Sequence, residues 1–233
     1  MVLRRTLFAI IPTLMLTLSA AATAGEKSVV VELYTSQGCS SCPPADALLG
    51  EIASMDGVIA MSLHVDYWDY IGWKDDFADP AYSKRQKLYA HAAGAKSVYT
   101  PQMVIGGVDH LIGHKPMELA NTIQRHKAVA NQVAITAERS GDWVRIAAQS
   151  AQNTAMEVHL VGLSSKDVVS IKRGENAGKT ITYFNTVREW VTLRDWDGRG
   201  KYSARHKLPD GDQTVVIVQK AGHGPIVGAV RVR

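Results

Sequence analysis

Cys39 and Cys42 are the only cysteines in this chain of 233 residues, and they stand three apart in Gly38-Cys39-Ser40-Ser41-Cys42-Pro43-Pro44. A pair at that spacing can close on itself, and it can also react. The residues before it, Val29 to Thr35, are β-branched and apolar and read as a strand. From about Pro43 to Ser54 the pattern is that of a helix, whose first turn accepts prolines because a missing N–H costs nothing there. The cysteines therefore sit where a helix begins. Unpaired amides and the positive end of the helix dipole favour a thiolate at such a place. Three uses are open to the pair: thiol–disulfide exchange, a static disulfide, or ligation of a soft metal. As a static cross-link it would do little, since closing a loop of about four residues removes little entropy from the unfolded chain.

The compartment decides how such a pair behaves. Arg4 and Arg5 precede the apolar run Leu7 to Leu18, and Ala22-Thr23-Ala24 offers a small-x-small cleavage site before Gly25. That layout predicts a signal peptide over residues 1–24 and a periplasmic or secreted protein with no stable membrane anchor once the signal is removed. In an oxidising compartment a lone close-spaced pair rests as a disulfide unless something reduces it. Charge is uneven along the chain: residues 25–129 hold nine Lys and Arg against twelve Asp and Glu, and residues 130–233 hold fifteen against ten. No basic run with interleaved aromatics occurs, so nucleic acid is not expected as a partner.

The elements that must position the cysteines follow in order. Val58 to Val65 reads as a second buried strand, parallel to the first if the intervening helix is a right-handed crossover. Asp66 to Pro80 then places five aromatics and five aspartates in fifteen residues, with Gly72 and Pro80 as breakers. We read it as a long ordered loop leading to a helix from Ala81 to about Ala93, ended by Gly94. A Thr100-Pro101 step opens the short strand Gln102 to Ile105, and Gly106-Gly107 turns it into another short strand. Lys115 to about Lys127 reads as a helix with Met117, Leu119, Ala120 and Ile123 on one apolar face. Beyond it the texture changes to short runs, from Gln132–Glu138 through Ala155–Leu163, Val168–Lys172, Thr180–Phe184 and Glu189–Leu193 to Ile226–Val232. Turns such as Ser140-Gly141-Asp142 and Pro209-Asp210-Gly211-Asp212 separate them. That spacing predicts an antiparallel sandwich-like β domain over residues 130–233, with a boundary near 128–131 and no flexible linker.

Strand, Cys-x-x-Cys, helix, strand, helix, Thr-Pro strand, Gly-turned hairpin and final helix are the parts of a thioredoxin fold in its order; residues 28–128 resemble that superfamily, within an expected domain of residues 25–129. Ser36-Gln37-Gly38-Cys39-Ser40-Ser41-Cys42-Pro43-Pro44-Ala45-Asp46, the Asp66-Tyr67-Trp68-Asp69-Tyr70 loop and Val98-Tyr99-Thr100-Pro101-Gln102-Met103 are similar to a family of secreted bacterial thioredoxin-like proteins of unknown function. The resemblance implies an α/β fold, a thioredoxin-like domain followed by an all-β domain. It also implies a redox site in which Cys39 is the exposed attacking thiol and Cys42 the resolving one. Pro101 would be cis and face the disulfide, leaving the Thr100 backbone free to pair with a substrate peptide. Glu32, on the first strand, is where the resemblance places a buried acid able to take the proton of Cys42; a solvent-facing glutamate is the alternative.

The expected function is thus an exported thiol–disulfide oxidoreductase acting on exported cysteine-containing proteins or a redox partner, with no cofactor. The competing reading is a periplasmic copper carrier or accessory binding module using the same pair, with a histidine such as His64 completing the ligands. Asp66, Asp69, Asp75 and Asp79 lack calcium-loop spacing. His110 and His114 straddle a glycine, which leaves their faces unrelated. Gly174-Glu175-Asn176-Ala177-Gly178-Lys179-Thr180 is one residue short of a phosphate loop and runs into a strand pattern, so we read it as a β turn.

Overall fold

Neither β1 (Val29–Thr35) nor β2 (Val58–His64) has a residue reaching solvent. Strands covered on both faces carry apolar side chains at successive positions, which accounts for the unbroken runs in the sequence. The structure is a computed structural model and describes residues 28–129 and 132–233. The expected signal peptide and residues 130–131 of the expected boundary lie outside the described residues.

β1 pairs in parallel with β2 and antiparallel with β3 (Gln102–Ile105), and β4 (Asp109–Ile112) returns beside β3. Helix α1 (Pro43–Ala53) makes the crossover, α2 (Pro80–Ala92) follows the aromatic loop, and α3 (Pro116–Ala128) follows β4. The two-residue period sorts the side chains of β1. Val29, Val31 and Leu33 pack with Leu49 and Ile52 of α1 and Leu119 and Ile123 of α3. Val30 and Tyr34 face the other way, toward Tyr82 and Tyr89 of α2.

The second half supplies β5 (Val133–Ser140), β6 (Trp143–Ala151), β7 (Met156–Ser170), β8 (Thr180–Thr192), β9 (Arg199–Lys207), β10 (Gln213–Lys220) and β11 (Ile226–Arg231). Only β5, β6 and β9 form a separate antiparallel sheet. The rest extend the first sheet, whose eight strands run β11-β10-β7-β8-β2-β1-β3-β4, joined where Ser62 of β2 meets Thr186 of β8. The molecule is mixed α/β, with one large mixed sheet and a smaller antiparallel one. The second half was expected to hold its strands to itself; most of them instead complete the sheet begun in the first. That sheet curls, so that Val161, Leu163, Val215 and Ile217 share a core with Val30 and Met61, and the Ile226 amide donates to Gly106 O at 2.8 Å. The opposite face of β7 and β10 (Val158, Leu160, Val216, Val218) is covered by Val133, Ile135, Val144 and Ile146.

The sequence pattern divides both β7 and β8 into two short runs, at Ser164–Asp167 and Asn185–Arg188. Each is in fact one long strand, because the two pair with each other from His159–Thr192 out to Ser170–Thr180. The resulting hairpin arm reaches over α1. Phe184 fills the space above Gly50, where any Cβ would lie 2.5 Å from its ring.

Candidate functional site

Cys42 is the N-cap of α1, and the turn before it is closed by Cys39 N donating to Ser36 O (3.1 Å) and Cys42 N donating to Cys39 O (3.2 Å). The two cysteines form a disulfide with their Cα atoms 5.4 Å apart. The free amides expected at the helix start are not there for sulfur. Pro43 and Pro44 have none, and the Ala45 and Asp46 amides donate to Cys42 O at 2.8 and 3.1 Å. What touches Cys39 Sγ instead is hydroxyl: Thr100 Oγ1 donates to it at 3.3 Å, and Ser41 Oγ lies 3.4 Å away. The helix dipole remains, and side-chain donors take the place of backbone ones.

The Thr100-Pro101 peptide is cis, as the sequence predicts. Cys39 is less exposed than expected: its relative exposure is 1 % and that of Cys42 is 0 %. Two elements cover the pair. The aromatic loop lies directly on Gly38, where an added Cβ would meet Trp68 Cβ and Ile71 Cδ1 at 3.2 Å. This explains the glycine beside the disulfide turn. From the same loop, Trp68 Nε1 donates to Thr100 Oγ1 (2.8 Å) and Trp73 Nε1 to Gln37 Oε1 (2.7 Å). The second cover is the tip of the β7–β8 arm, the stretch resembling a phosphate loop. Buried Asn176 there donates through Nδ2 to both Gln37 O and Cys39 O at 2.9 Å, while Lys179 Nζ donates to its Oδ1 at 2.8 Å.

Below the disulfide lies a buried polar layer. Asp46, one helical turn beyond Cys42, accepts from Thr35 Oγ1 at 2.7 Å, and its other oxygen has no protein partner. Burial pushes its carboxyl up to about 7, against the opposing pull of His64 and the Thr35 hydroxyl. His64 Nδ1 lies 2.7 Å from Asp75 Oδ2, and the same oxygen accepts from Gln37 N at 2.8 Å. Burial would raise the Asp75 carboxyl, but the facing imidazole and the amides of Gln37 and Phe77 hold it below the ordinary range. His64 is boxed edge-on by Phe77 and Tyr183.

Glu32 is buried but belongs elsewhere. It shares the face of β1 that carries Val30 and Tyr34, opposite α1, and is paired to Arg85 Nε and Nη2 at 2.8 and 3.0 Å. The Tyr89 and Tyr34 hydroxyls also donate to it, at 2.7 and 3.0 Å. It joins α2 to β1 and is not brought to Cys42. Asp46 shares a face of α1 with Cys42 through its spacing of four, a signal present in the sequence; Asn176 had none. The loop aspartates are used locally: Asp69 Oδ1 accepts from Asp75 N, Asp66 Oδ1 takes the Ser83 hydroxyl, and Asp79 caps α2 through Ala81 N. His110 leans edge-on against Tyr89, and His114 is exposed. Among the described residues, no three or more His, Cys, Asp or Glu side chains are grouped to hold a metal ion.

The profile of a family described as protein of unknown function (DUF1223) matches residues 30–219, a span holding the disulfide turn, Thr100-Pro101, Asp46 and Asn176 alike. The chain belongs to that family. It is similar to the crystal structure of protein AGR_C_4864 from Agrobacterium tumefaciens, at 32 % identity over 89 % of this chain and 95 % of that one, with a TM-score of 0.75. It also shares a fold with HBP35 of Porphyromonas gingivalis, at 15 % identity over 88 % of this chain and 74 % of that one, with a TM-score of 0.63. No curated protein matches it.

Proposed function

We propose that this family member is an exported thiol–disulfide oxidoreductase whose first half is thioredoxin-like. One observation carries the reading: a disulfide at the start of α1 lies beside a cis Thr100-Pro101 step whose hydroxyl donates to Cys39 Sγ. A bond meant only to hold the chain has no use for such a donor on one sulfur. A donor aimed at Cys39 becomes a charge-assisted hydrogen bond once that sulfur is a thiolate, and such bonds are about twice as strong as neutral ones.

In the oxidising direction a substrate thiolate attacks Cys39 Sγ. The bond to the substrate sulfur forms, the Cys39–Cys42 bond breaks, and Cys42 leaves as a thiolate. Asp46, whose carboxyl titrates near neutrality one turn along α1, supplies the proton. A second substrate thiolate then attacks the substrate sulfur of the mixed disulfide and releases the Cys39 thiolate. Two electrons pass from the substrate dithiol to the protein. The reducing direction is the same path reversed, with Asp46 receiving the Cys42 proton. The signal-peptide pattern of residues 1–24 supports a periplasmic or extracellular setting for this chemistry, with cysteines of other exported proteins as its substrates.

The test is a pair of variants. Cys42→Ser should accumulate a mixed disulfide through Cys39 when the reduced protein meets a disulfide substrate, and Cys39→Ser should trap nothing. Equal trapping by both, or no reduction of insulin disulfides by the reduced parent, would sink the assignment.

A further inference from the structure

The aromatic loop does more than cover the cysteines. An indole N–H can only donate, whereas a hydroxyl has one proton and two lone pairs. Trp68 Nε1 donates to Thr100 Oγ1 at 2.8 Å, so one lone pair of that hydroxyl is occupied. Its proton points to Cys39 Sγ at 3.3 Å, with the Tyr67 oxygen as the competing acceptor. Trp68 is itself held in place. Its ring stacks on Tyr70 with a 13° interplanar angle and leans on Tyr67, and its Cβ lies against Gly38. The neighbouring Tyr67 hydroxyl is committed as a donor to Gln86 Oε1 at 3.0 Å. With the amides of α1 absent or turned onto Cys42 O, few other donors reach the sulfur.

We propose that Trp68 is a positioning residue. It fixes the Thr100 hydroxyl with its proton on Cys39 Sγ, so that a two-bond relay beginning in the aromatic loop stabilises the Cys39 thiolate. The proposal rests on the redox reading and adds a group that touches neither sulfur. The relay strengthens on reduction, because a thiolate accepts far better than a disulfide sulfur. It therefore favours the reduced protein and makes its disulfide more oxidising. The other polar groups facing this sulfur act independently of Trp68. Ser41 Oγ lies at the sulfur itself, Asn176 and through it Lys179 reach the Cys39 carbonyl, and the Asp46 carboxyl is held by Thr35.

Three variants test it: Trp68→Phe, which keeps a ring and loses the N–H; Thr100→Val, which keeps the shape and loses the hydroxyl; and the double variant. The thiolate absorbance of the reduced proteins is titrated, and each is equilibrated with glutathione. Each single variant should lower the thiolate-to-thiol ratio at a fixed acidic pH by about tenfold, the size of one lost charge-assisted hydrogen bond. The double variant should lose about the same tenfold and not a hundredfold, because either change alone breaks the relay. Equilibrium constants with glutathione should move in the same sense. A Trp68→Phe titration that overlays the parent, or losses that multiply in the double variant, would overturn the relay. Failure of the oxidoreductase reading would look different: the titrations would still separate, while the parent exchanged with no protein disulfide. Tyr67→Phe should leave the titration where it is; if it raises the thiolate-to-thiol ratio, the Thr100 proton lay on the Tyr67 oxygen in the parent and the relay is wrong.

Discussion

Replacing Asp46 with Asn should change how stability depends on pH, in a direction opposite to the usual behaviour of a carboxylate. The Asp46 carboxyl rises from 3.8 to about 7 on folding because burial disfavours its charge. A raised folded pKa means that the native state binds the proton more tightly than the unfolded chain does. The associated stability is fully present below the unfolded pKa, is lost as pH climbs from there toward 7, and stays lost above. Roughly three units at about 1.4 kcal/mol each amount to about 4 kcal/mol. Asn mimics the neutral acid and can keep the Thr35 hydrogen bond through its Oδ1. Its amide nitrogen takes the place of an oxygen that has no protein partner, at a fixed cost of about 1–3 kcal/mol independent of pH. The difference between variant and parent therefore isolates the titration, since Asp75 and the histidines are common to both. Urea unfolding of the oxidised proteins, from about pH 4 to pH 8, should show Asp46→Asn gaining on the parent by about 4 kcal/mol across that range. Parallel curves would refute both the burial argument and the assignment of Asp46 as the proton donor to Cys42.

The remaining expectations concern neighbouring groups. Asp46→Asn should also slow exchange by about a hundredfold and remove the inflection near neutrality from the rate–pH profile, which stopped-flow fluorescence would follow. Glu32→Gln leaves the buried Arg85 guanidinium without its counter-charge and should cost about 3 kcal/mol in urea unfolding, with exchange rates unchanged per folded molecule. A large rate loss would return Glu32 to the site. Asn176→Ala removes both donors from the carbonyls of Gln37 and Cys39 and should cost about 2 kcal/mol. Amide exchange in the Ser36–Cys42 turn should quicken with it, and an unchanged turn would show that the arm does not hold it.

Local structure was readable before any coordinates. The helix after Cys42, the strand before it, the Thr100-Pro101 step and the loop of aromatics each carry their signal within a few residues. What escaped were relations across the fold. The face of Glu32 could not be read because β1 is covered on both sides, which erases the alternation that reveals a strand's orientation. Asn176 lies 137 residues from Cys39, in a turn of unremarkable composition, and only the length of the β7–β8 pairing carries it there. That length was itself hidden. Ser164–Asp167 and Asn185–Arg188 look like breaks, yet strands pairing with one another tolerate polar residues where the arm leaves the core.

The polar layer under the disulfide also explains why two aspartates stand so close to one histidine. Asp75 receives the His64 ring and the Gln37 and Phe77 amides, and they keep it ionised. Asp46 has one hydroxyl and an empty oxygen, and burial drives it toward neutrality. Unequal solvation of two nearby carboxyls drives them apart: one stays charged against the imidazole, and the other, on the proposed reading, is able to exchange a proton near neutrality. The raised one is on α1, a single turn from Cys42, the sulfur that leaves as an anion in the proposed reaction. A carboxyl that burial holds at about 7 lowers stability at neutral pH, and the proposed proton exchange with Cys42 is a use that would offset that cost.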